Sequence, residues 1–110
     1  MATRLTVLRG GKNLFYHYTD KKGADAIALS GMIKSNHKGQ LFLTRERISS
    51  KTAANLLFLG RADGKGEYVI EVELADGLRL VPGKNVYEFI FYGSIRHGRQ
   101  AKLEVRKNEY

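Results

Sequence analysis

Apolar and charged residues alternate along the second half of the chain, and a period of two is typical of a β-strand with one buried face. The longest such run covers residues 67–74. Its buried side is predicted to hold Tyr68, Ile70, Val72 and Leu74. Shorter runs predict three further strands, at 78–81, 87–92 and 101–107. The second half of the chain is therefore predicted to be mostly antiparallel sheet.

A helix is predicted in the first half from its capping residues. Thr19 and Asp20 are suited to cap its N-terminus, and Gly31 is suited to end it. Apolar residues recur three and four positions apart between these caps, which predicts a helix over residues 21–29 with one buried face.

A second helix is predicted over residues 50–59. Ser49 and Ser50 precede it as N-cap residues, and Gly60 follows it as a stop. Its buried side is predicted to consist of Ala53, Ala54, Leu57 and Phe58. The glycine-rich segment 61–66 lacks the strand and helix that flank a phosphate-binding loop, so it is predicted to be a plain connection.

Two short strands complete the first half of the chain, at residues 14–19 and 41–44. Residues 1–13 are predicted to form an N-terminal arm or an edge strand. The order strand, helix, strand, helix and then several strands predicts an α+β fold. At 110 residues the chain has room for one core, so we expect a single domain over residues 1–110.

The charge balance favours an anionic partner. Nineteen Lys and Arg against eleven Asp and Glu give a net charge of +8, and such a field attracts phosphates. The cations are spread along the chain, so a basic surface that serves only solubility is the alternative. Cysteine is absent, which excludes disulfides and thiolate chemistry. No apolar run reaches about 18 residues, so we expect no membrane insertion.

Two polar residues stand in segments that are otherwise apolar. His17 lies within the strand 14–19, and Glu88 lies near the start of the strand 87–92. A carboxylate in such a strand is costly to bury unless it is paired or meets a ligand. Taken alone, His17 is equally consistent with a core histidine bonded to a backbone carbonyl, and Glu88 with a strand end in solvent. His37, in a polar loop, is predicted to lie on the surface.

Short motifs occur in a defined order along the chain. They are FYHYT at 15–19, LSGMI at 29–33, GQLFLT at 39–44, SKTAAN at 50–55 and YEFIFY at 87–92. In this order they resemble the His-Tyr-Glu branch of the ADP-ribosyltransferases, and most closely the small toxin domains with the HYD1 signature. The resemblance implies an ADP-ribosyltransferase-like split antiparallel β-sheet core with two helices in the N-terminal half.

The resemblance also implies catalysis with NAD as co-substrate. Breaking the bond between nicotinamide and ribose passes through an oxocarbenium-like cation, the charge problem that glycosidases solve with a nearby carboxylate. Glu88 would bond a ribose hydroxyl and stabilise that charge. His17 would hold the adenosine-side ribose and so fix the dinucleotide. These two residues are the implied catalytic residues.

Further positions are implied to bind NAD. The backbone of Tyr18 would pair with the nicotinamide carboxamide, and Phe42 would stack on the ring. Lys51, with Arg45 or Arg47, would meet the pyrophosphate. The implied binding set, which includes no metal ligand, is His17, Tyr18, Thr19, Phe42, Ser50, Lys51 and Thr52. The family pattern has Tyr at the position of Phe42, so stacking is kept and the phenol hydrogen bond is lost. The HYD1 signature has Asp at the position of Glu88.

The expected function is therefore mono-ADP-ribosylation of a protein or of RNA or DNA by a bacterial toxin or effector domain. Hydrolysis of NAD is its near neighbour. We expect such a domain to act in the cytoplasm, either as a stand-alone effector or after delivery as part of a larger secreted protein. A cognate immunity protein is a further expected partner.

Two other functions stay open on the sequence. A non-catalytic basic module would bind RNA or another nucleic acid by stacking bases on aromatic strands, but the aromatics here alternate with aliphatic residues as core residues do. An RNA 2′-phosphotransferase-like enzyme would need additional Arg and His side chains around a phosphate. Arg96, His97 and Arg99 are the candidates for that role.

Overall fold

Antiparallel sheets and two helices make up the described part of this computed structural model, which comprises residues 6–7, 13–57, 64 and 66–110. The strands are β1 (Thr6–Val7), β2 (Leu14–Thr19), β3 (Met32–Ile33), β4 (Gln40–Leu43), β5 (Tyr68–Leu74), β6 (Arg79–Pro82), β7 (Phe89–Tyr92), β8 (Ile95–Arg96) and β9 (Ala101–Lys107). The helices are α1 (Lys21–Ser30) and α2 (Ser50–Leu57). The predicted α+β class, with mostly antiparallel sheet and two helices, is confirmed.

In the sheet β2-β5-β9, the strands β2 and β5 carry buried residues on both faces. One face packs Phe15, Ile70 and Val72 into the main core, to which α1 contributes Ile27. The opposite face forms a second cluster of Tyr16, Tyr18, Val69 and, from α2, Ala53. Two-sided burial explains why residues 14–19 read as a nearly continuous aromatic and aliphatic run and not as an alternating one.

A second sheet has the strand order β1-β6-β7-β4 and packs on the main core by one face. The residues that it directs into this core are Leu41, Leu43, Leu80, Phe89 and Phe91. Its opposite face carries Phe42 and Ile90, which are paired across β4 and β7. Two-residue strands β3 and β8 pair with each other beside these sheets.

Both helices begin where their capping residues predict. In α1 the Asp20 carboxylate accepts a hydrogen bond from the Gly23 N–H (2.8 Å), and Gly31 ends the helix with φ 70°. In α2 the Ser49 hydroxyl accepts from the Thr52 N–H (3.3 Å), so Ser49 is the N-cap. Of the predicted buried side of α2, Ala53 is confirmed. The side chains of Ala54, Leu57 and Phe58 and the stop at Gly60 lie outside the described residues.

Some element boundaries differ from those predicted. β7 begins at Phe89 and not at 87, because a loop turn that includes Asn85 holds the preceding residues out of the ladder. The strands β3 and β8 were not predicted at all. In the predicted N-terminal arm, β1 lies at the edge of a sheet beside β6, and the rest of 1–12 lies outside the described residues. His37 is exposed, as predicted.

Neither described helix is long and apolar enough to cross a bilayer. The longer of the two, α1, has ten residues.

Gly23 packs so closely on β2 that a side chain there would be costly. A Cβ at this position would overlap the Thr19 hydroxyl and lie 3.2 Å from the Asp20 carboxylate oxygen. Alanine favours a helix over glycine by about 1 kcal/mol, but overpacking costs about 1–3 kcal/mol. We therefore expect Gly23→Ala to lower the free energy of unfolding measured by urea denaturation. The loss should shrink in a Thr19→Ala background, and an equal loss in both backgrounds would contradict this explanation.

Candidate functional site

The strands β2 and β4 come together at one backbone bridge and then separate. Tyr16 and Thr44 exchange both backbone hydrogen bonds, with N···O distances of 2.7 and 2.9 Å. If this antiparallel pairing continued, the next backbone pair would be Tyr18 and Phe42. Instead the ring of His17 reaches the Phe42 carbonyl, with Nδ1···O of 3.0 Å. The strands are therefore held apart at this point, and a pocket opens between them.

The pocket has a volume of about 80 Å³ and is open on one side. Its lining residues are Tyr16, His17, Tyr18, Phe42, Leu43, Thr44 and Glu88. Both implied catalytic residues, His17 and Glu88, thus line it together with two of the implied binding residues, Tyr18 and Phe42. These residues come from β2, from β4 and from the loop that precedes β7, three segments that are distant in the sequence.

His17 is half-buried, on the strand face that it shares with Phe15. A carbonyl oxygen can only accept, so the contact with Phe42 assigns the ring proton to Nδ1 and makes Nε2 the acceptor nitrogen of the neutral ring. A core histidine bonded to a backbone carbonyl was the alternative interpretation of this residue. The structure contains that bond and also brings the same ring to the pocket wall.

Glu88 is held by the loop between β6 and β7. Its backbone carbonyl accepts from the Gly83 N–H (2.8 Å), and its carboxylate accepts from the Asn85 side-chain amide (3.1 Å). Burial raises the pKa of the Glu88 carboxyl above its ordinary value, and the positive charge of Lys84 opposes part of this shift. The carboxylate therefore lies in a region of reduced solvation at the pocket edge.

Asn85 orients the candidate catalytic acid, and sequence reasoning missed it. Its side-chain oxygen accepts from the Tyr87 N–H (2.8 Å), while its amide donates to Glu88. Asparagine commonly bonds the backbone two residues ahead in turns, so the spacing of Asn85 and Tyr87 was the available signal.

Tyr18 contributes its backbone to the site and uses its side chain for support. The hydrogen-bonding edge alternates along a strand, so the N–H and C=O of Tyr18 point to the same edge as those of Tyr16, toward the pocket. The side chain is buried, and its hydroxyl donates to the Glu46 carbonyl (2.7 Å) and accepts from the Ile48 N–H (2.8 Å). Burial raises the pKa of Tyr18 to about 12, so the phenol keeps its proton at neutral pH.

Removal of the Tyr18 hydroxyl should destabilise the protein. Tyr18→Phe leaves two partly buried backbone groups of the 46–48 segment without this partner, and at about 0.5–1.5 kcal/mol for each hydrogen bond the expected cost is about 1–3 kcal/mol. Urea denaturation measures the loss, and Tyr68→Phe, at a half-buried tyrosine outside these contacts, is the matched control. Equal stability of Tyr18→Phe and the wild type would contradict the structural role of this hydroxyl.

The remaining implied residues are not among those that line the pocket. Thr19 is buried against α1, and the segment 50–52 forms the first turn of α2, with Ser50 and Lys51 at its start and Thr52 bonded to Ser49. Arg45 lies over the Phe15 ring, 4.9 Å from its centroid. The Nε of Arg47 donates to the Tyr16 hydroxyl (3.0 Å).

The residues considered for phosphate transfer lie elsewhere in the fold. Arg96 belongs to β8, and His97 and Arg99 occupy the turn that leads to β9. The Nδ1 of His97 accepts a hydrogen bond from the Leu103 N–H (3.0 Å), so one ring nitrogen has a structural partner. None of the three lines the pocket between β2 and β4.

Neither a metal-binding group among the described residues nor a matching protein indicates what the pocket binds. Within the described residues, no group of three or more His, Asp or Glu side chains is arranged to hold a metal ion. No protein-family model, curated protein sequence or solved structure matches the chain. The geometry of the pocket is therefore the basis for an assignment of function.

Proposed function

We propose that the protein is an NAD-dependent mono-ADP-ribosyltransferase that cleaves the nicotinamide–ribose bond at the pocket between β2 and β4. The observation that carries the proposal is that His17, Phe42 and Glu88 line one pocket. Each of the three belongs to a different sequence motif, and nothing local in the chain requires them to meet. Their common pocket supports a shared role in binding and chemistry.

The pocket is suited to one end of the dinucleotide. A cavity of about 150 Å³ accepts benzene, and sites for whole small molecules measure about 300–1,000 Å³. At about 80 Å³ and open on one side, this pocket would seat the edge of a nicotinamide ring against Phe42 and Leu43. The rest of NAD would lie outside it, past His17.

Polar groups around the pocket match the functional groups of the nicotinamide riboside. The backbone N–H and C=O of Tyr18 are oriented to pair with the carboxamide, which has both a donor and an acceptor. The His17 ring, oriented by the contact of Nδ1 with the Phe42 carbonyl, lies at the pocket wall where a ribose hydroxyl would meet it. Phe42 supplies a flat apolar ring and no hydrogen bond.

Glu88 would act when the bond to nicotinamide breaks. The electron pair of the C1′–N bond leaves with nicotinamide, which becomes neutral, and positive charge develops on the ribose. A carboxylate in a partly desolvated site stabilises that charge more strongly than it would in water. The Asn85 amide fixes the carboxylate before the reaction. The acceptor then bonds to C1′ and releases its proton.

The broader setting of this reaction is part of the proposal. The acceptor is a protein or a nucleic acid, with water as the acceptor in the hydrolytic side reaction. A reaction that depletes NAD or modifies cellular targets is suited to a toxin or effector that acts in the cytoplasm, and an immunity protein would cover the pocket.

Release of nicotinamide from NAD tests the proposal. The protein is incubated with NAD and a cell extract that supplies acceptors, and free nicotinamide is quantified by chromatography. We expect release by the wild type and about 100- to 1,000-fold slower release by Glu88→Gln. Glu109→Gln, which removes an exposed carboxylate outside the pocket, is the matched control and should behave as the wild type. No release by the wild type, or equal release by Glu88→Gln, would overturn the proposal.

A further inference from the structure

The pocket wall continues along β4 and β7 toward an exposed end of the sheet at Tyr92. Cross-strand partners lie on the same face of a sheet, and Phe42 pairs with Ile90 while Gln40 pairs with Tyr92. Tyr92 and Gln40 therefore lie on the face that Phe42 contributes to the pocket. Two residues along a strand span about 7 Å, so this second pair is within reach of a ligand that occupies the pocket.

Tyr92 presents its ring to solvent on this face. It is 60% exposed, whereas Ile90 on the same strand face is 8% exposed. Strand position does not require an aromatic ring there, because the β7 residues that pack on the main core are Phe89 and Phe91. An exposed ring on a flat sheet is a surface on which a planar group can stack.

Positive charge surrounds this end of the sheet. The segments 26–45 and 89–103 contain no Asp or Glu and six Lys and Arg residues, among them Lys34, Lys38 and Arg96. These segments are bonded to each other next to Tyr92, from the Gly93 N–H to the Gly39 carbonyl (2.9 Å) and from the Ser35 N–H to the Ser94 hydroxyl (3.0 Å).

The cations at this end are not neutralised by carboxylates. The ion pairs found among the described residues use Lys21 and Arg106 as cations, and neither belongs to these segments. Lys34, Lys38 and Arg96 are all exposed. Their charges are therefore available to an anionic ligand that lies on this face.

We infer that the sheet surface from Phe42 to Gln40 and Tyr92 binds single-stranded nucleic acid, and that a nucleotide of this strand is the acceptor of ADP-ribose. The inference about the acceptor rests on the proposed function. Cations that meet phosphates beside an exposed aromatic ring are the combination used by single-strand binding sites. An acidic peptide would use the cations but would have no planar base for the Tyr92 ring.

The position of this face suits transfer to a nucleotide. With one base stacked on Tyr92, the adjoining nucleotide lies toward Phe42 and the pocket. A nitrogen or oxygen of that nucleotide would bond to C1′ as the C1′–N bond breaks. The electron pair leaves with nicotinamide, and the proton of the acceptor passes to solvent.

Binding without NAD tests the surface independently of catalysis. Fluorescence anisotropy of labelled 12-nucleotide RNA and DNA single strands is measured over a range of salt concentrations. Loss of one base stack weakens binding by about 5- to 150-fold, so we expect the affinity of Tyr92→Ala for the oligonucleotides to be lower than that of the wild type by this factor. Tyr92→Phe, which keeps the ring, should bind as the wild type. Lys38→Gln should reduce the salt slope by about one, whereas Lys22→Gln on α1 should not.

Transfer is tested in a second arm with NAD labelled in its adenylate group and the same oligonucleotides. We expect label on the oligonucleotide, and the RNA and DNA arms identify which strand is preferred. If Tyr92→Ala binds the oligonucleotides as the wild type does, the assignment of this binding surface is wrong. Nicotinamide release with label only on protein would overturn the acceptor assignment. Tyr92-dependent binding without any nicotinamide release would instead overturn the proposed function and leave the binding surface in place.

Discussion

Glu88→Gln is expected to reduce nicotinamide release by about 100- to 1,000-fold, the range seen when one preorganised group that stabilises transition-state charge is removed. The variant keeps the size of the side chain and its acceptor for the Asn85 amide, but it removes the negative charge. Steady-state release of nicotinamide measures the loss. A variant that retains more than a tenth of the wild-type rate would contradict the role of Glu88.

The same variant should not lose stability, which separates catalysis from folding. Burial raises the pKa of Glu88 in the folded protein, so the folded state binds more protons than the unfolded state between the unfolded and folded pKa values. The wild type therefore loses unfolding free energy as pH rises through that window. The glutamine side chain of Glu88→Gln does not ionise, so this variant does not lose unfolding free energy in that way. At pH 7 we expect Glu88→Gln to be at least as stable as the wild type, and the difference should narrow as pH falls to about 4.

The direction of this pKa shift also predicts the pH dependence of the reaction. Only the ionised carboxylate stabilises positive charge on the ribose, so release should fall in acid as Glu88 is protonated. Because the pKa is raised, the midpoint should lie above the value of about 4.3 for an ordinary glutamate. A midpoint at or below that value would contradict the partly desolvated environment of this residue.

Phe15→Ala is expected to cause the largest loss of stability, about 3–5 kcal/mol, in a domain whose total stability is about 5–15 kcal/mol. Phe15 is fully buried, and its ring meets the ring of Phe89 edge to face, with centroids 5.7 Å apart and an interplanar angle of 82°. The Arg45 guanidinium covers it at 4.9 Å from the centroid. Truncation leaves a cavity where β2 and β7 meet.

Phe15→Leu is the variant that separates packing from function. It fills most of the cavity and should cost only about 1–2 kcal/mol, including loss of the aromatic pair. Phe89 directly follows Glu88, so the Phe15–Phe89 contact sets the separation between β2, which carries His17, and the loop residue Glu88. We therefore expect slower nicotinamide release by a folded Phe15→Leu protein. Urea denaturation and the release assay measure the two effects, and unchanged release would contradict the coupling.

Elements with local signals were predictable from the sequence, and elements that depend on distant partners were not. The bounds of α1 follow from Asp20 and Gly31, whose capping contacts involve residues within four positions. The alternation in residues 67–74 likewise identifies β5. In contrast, β3 and β8 have two residues each and exist only because they pair with each other. Two-residue strands have no periodicity to detect.

The candidate site divides in the same way. The order of the motifs was enough to select His17, Phe42 and Glu88, because each has a side chain of distinctive chemistry. The contact between His17 and the Phe42 carbonyl was not predictable, since every residue has a carbonyl and the sequence does not mark which one is accessible. The segment 50–52 was expected to bind NAD, but where α2 lies depends on the packing of Ala53 against β2 and β5.

The bridge between Tyr16 and Thr44 gives the two large sheets a hinge. Within the described residues, it is the backbone pairing that joins β2 to β4, and its two hydrogen bonds contribute only about 1 kcal/mol each. The contact of the His17 ring with the Phe42 carbonyl and apolar packing, which is not directional, add to the contact between the sheets. Small breathing motions can therefore widen the cleft for a dinucleotide without breaking the β2–β5 ladder. Amide hydrogen exchange should be faster at Tyr16 and Thr44 than at Val72.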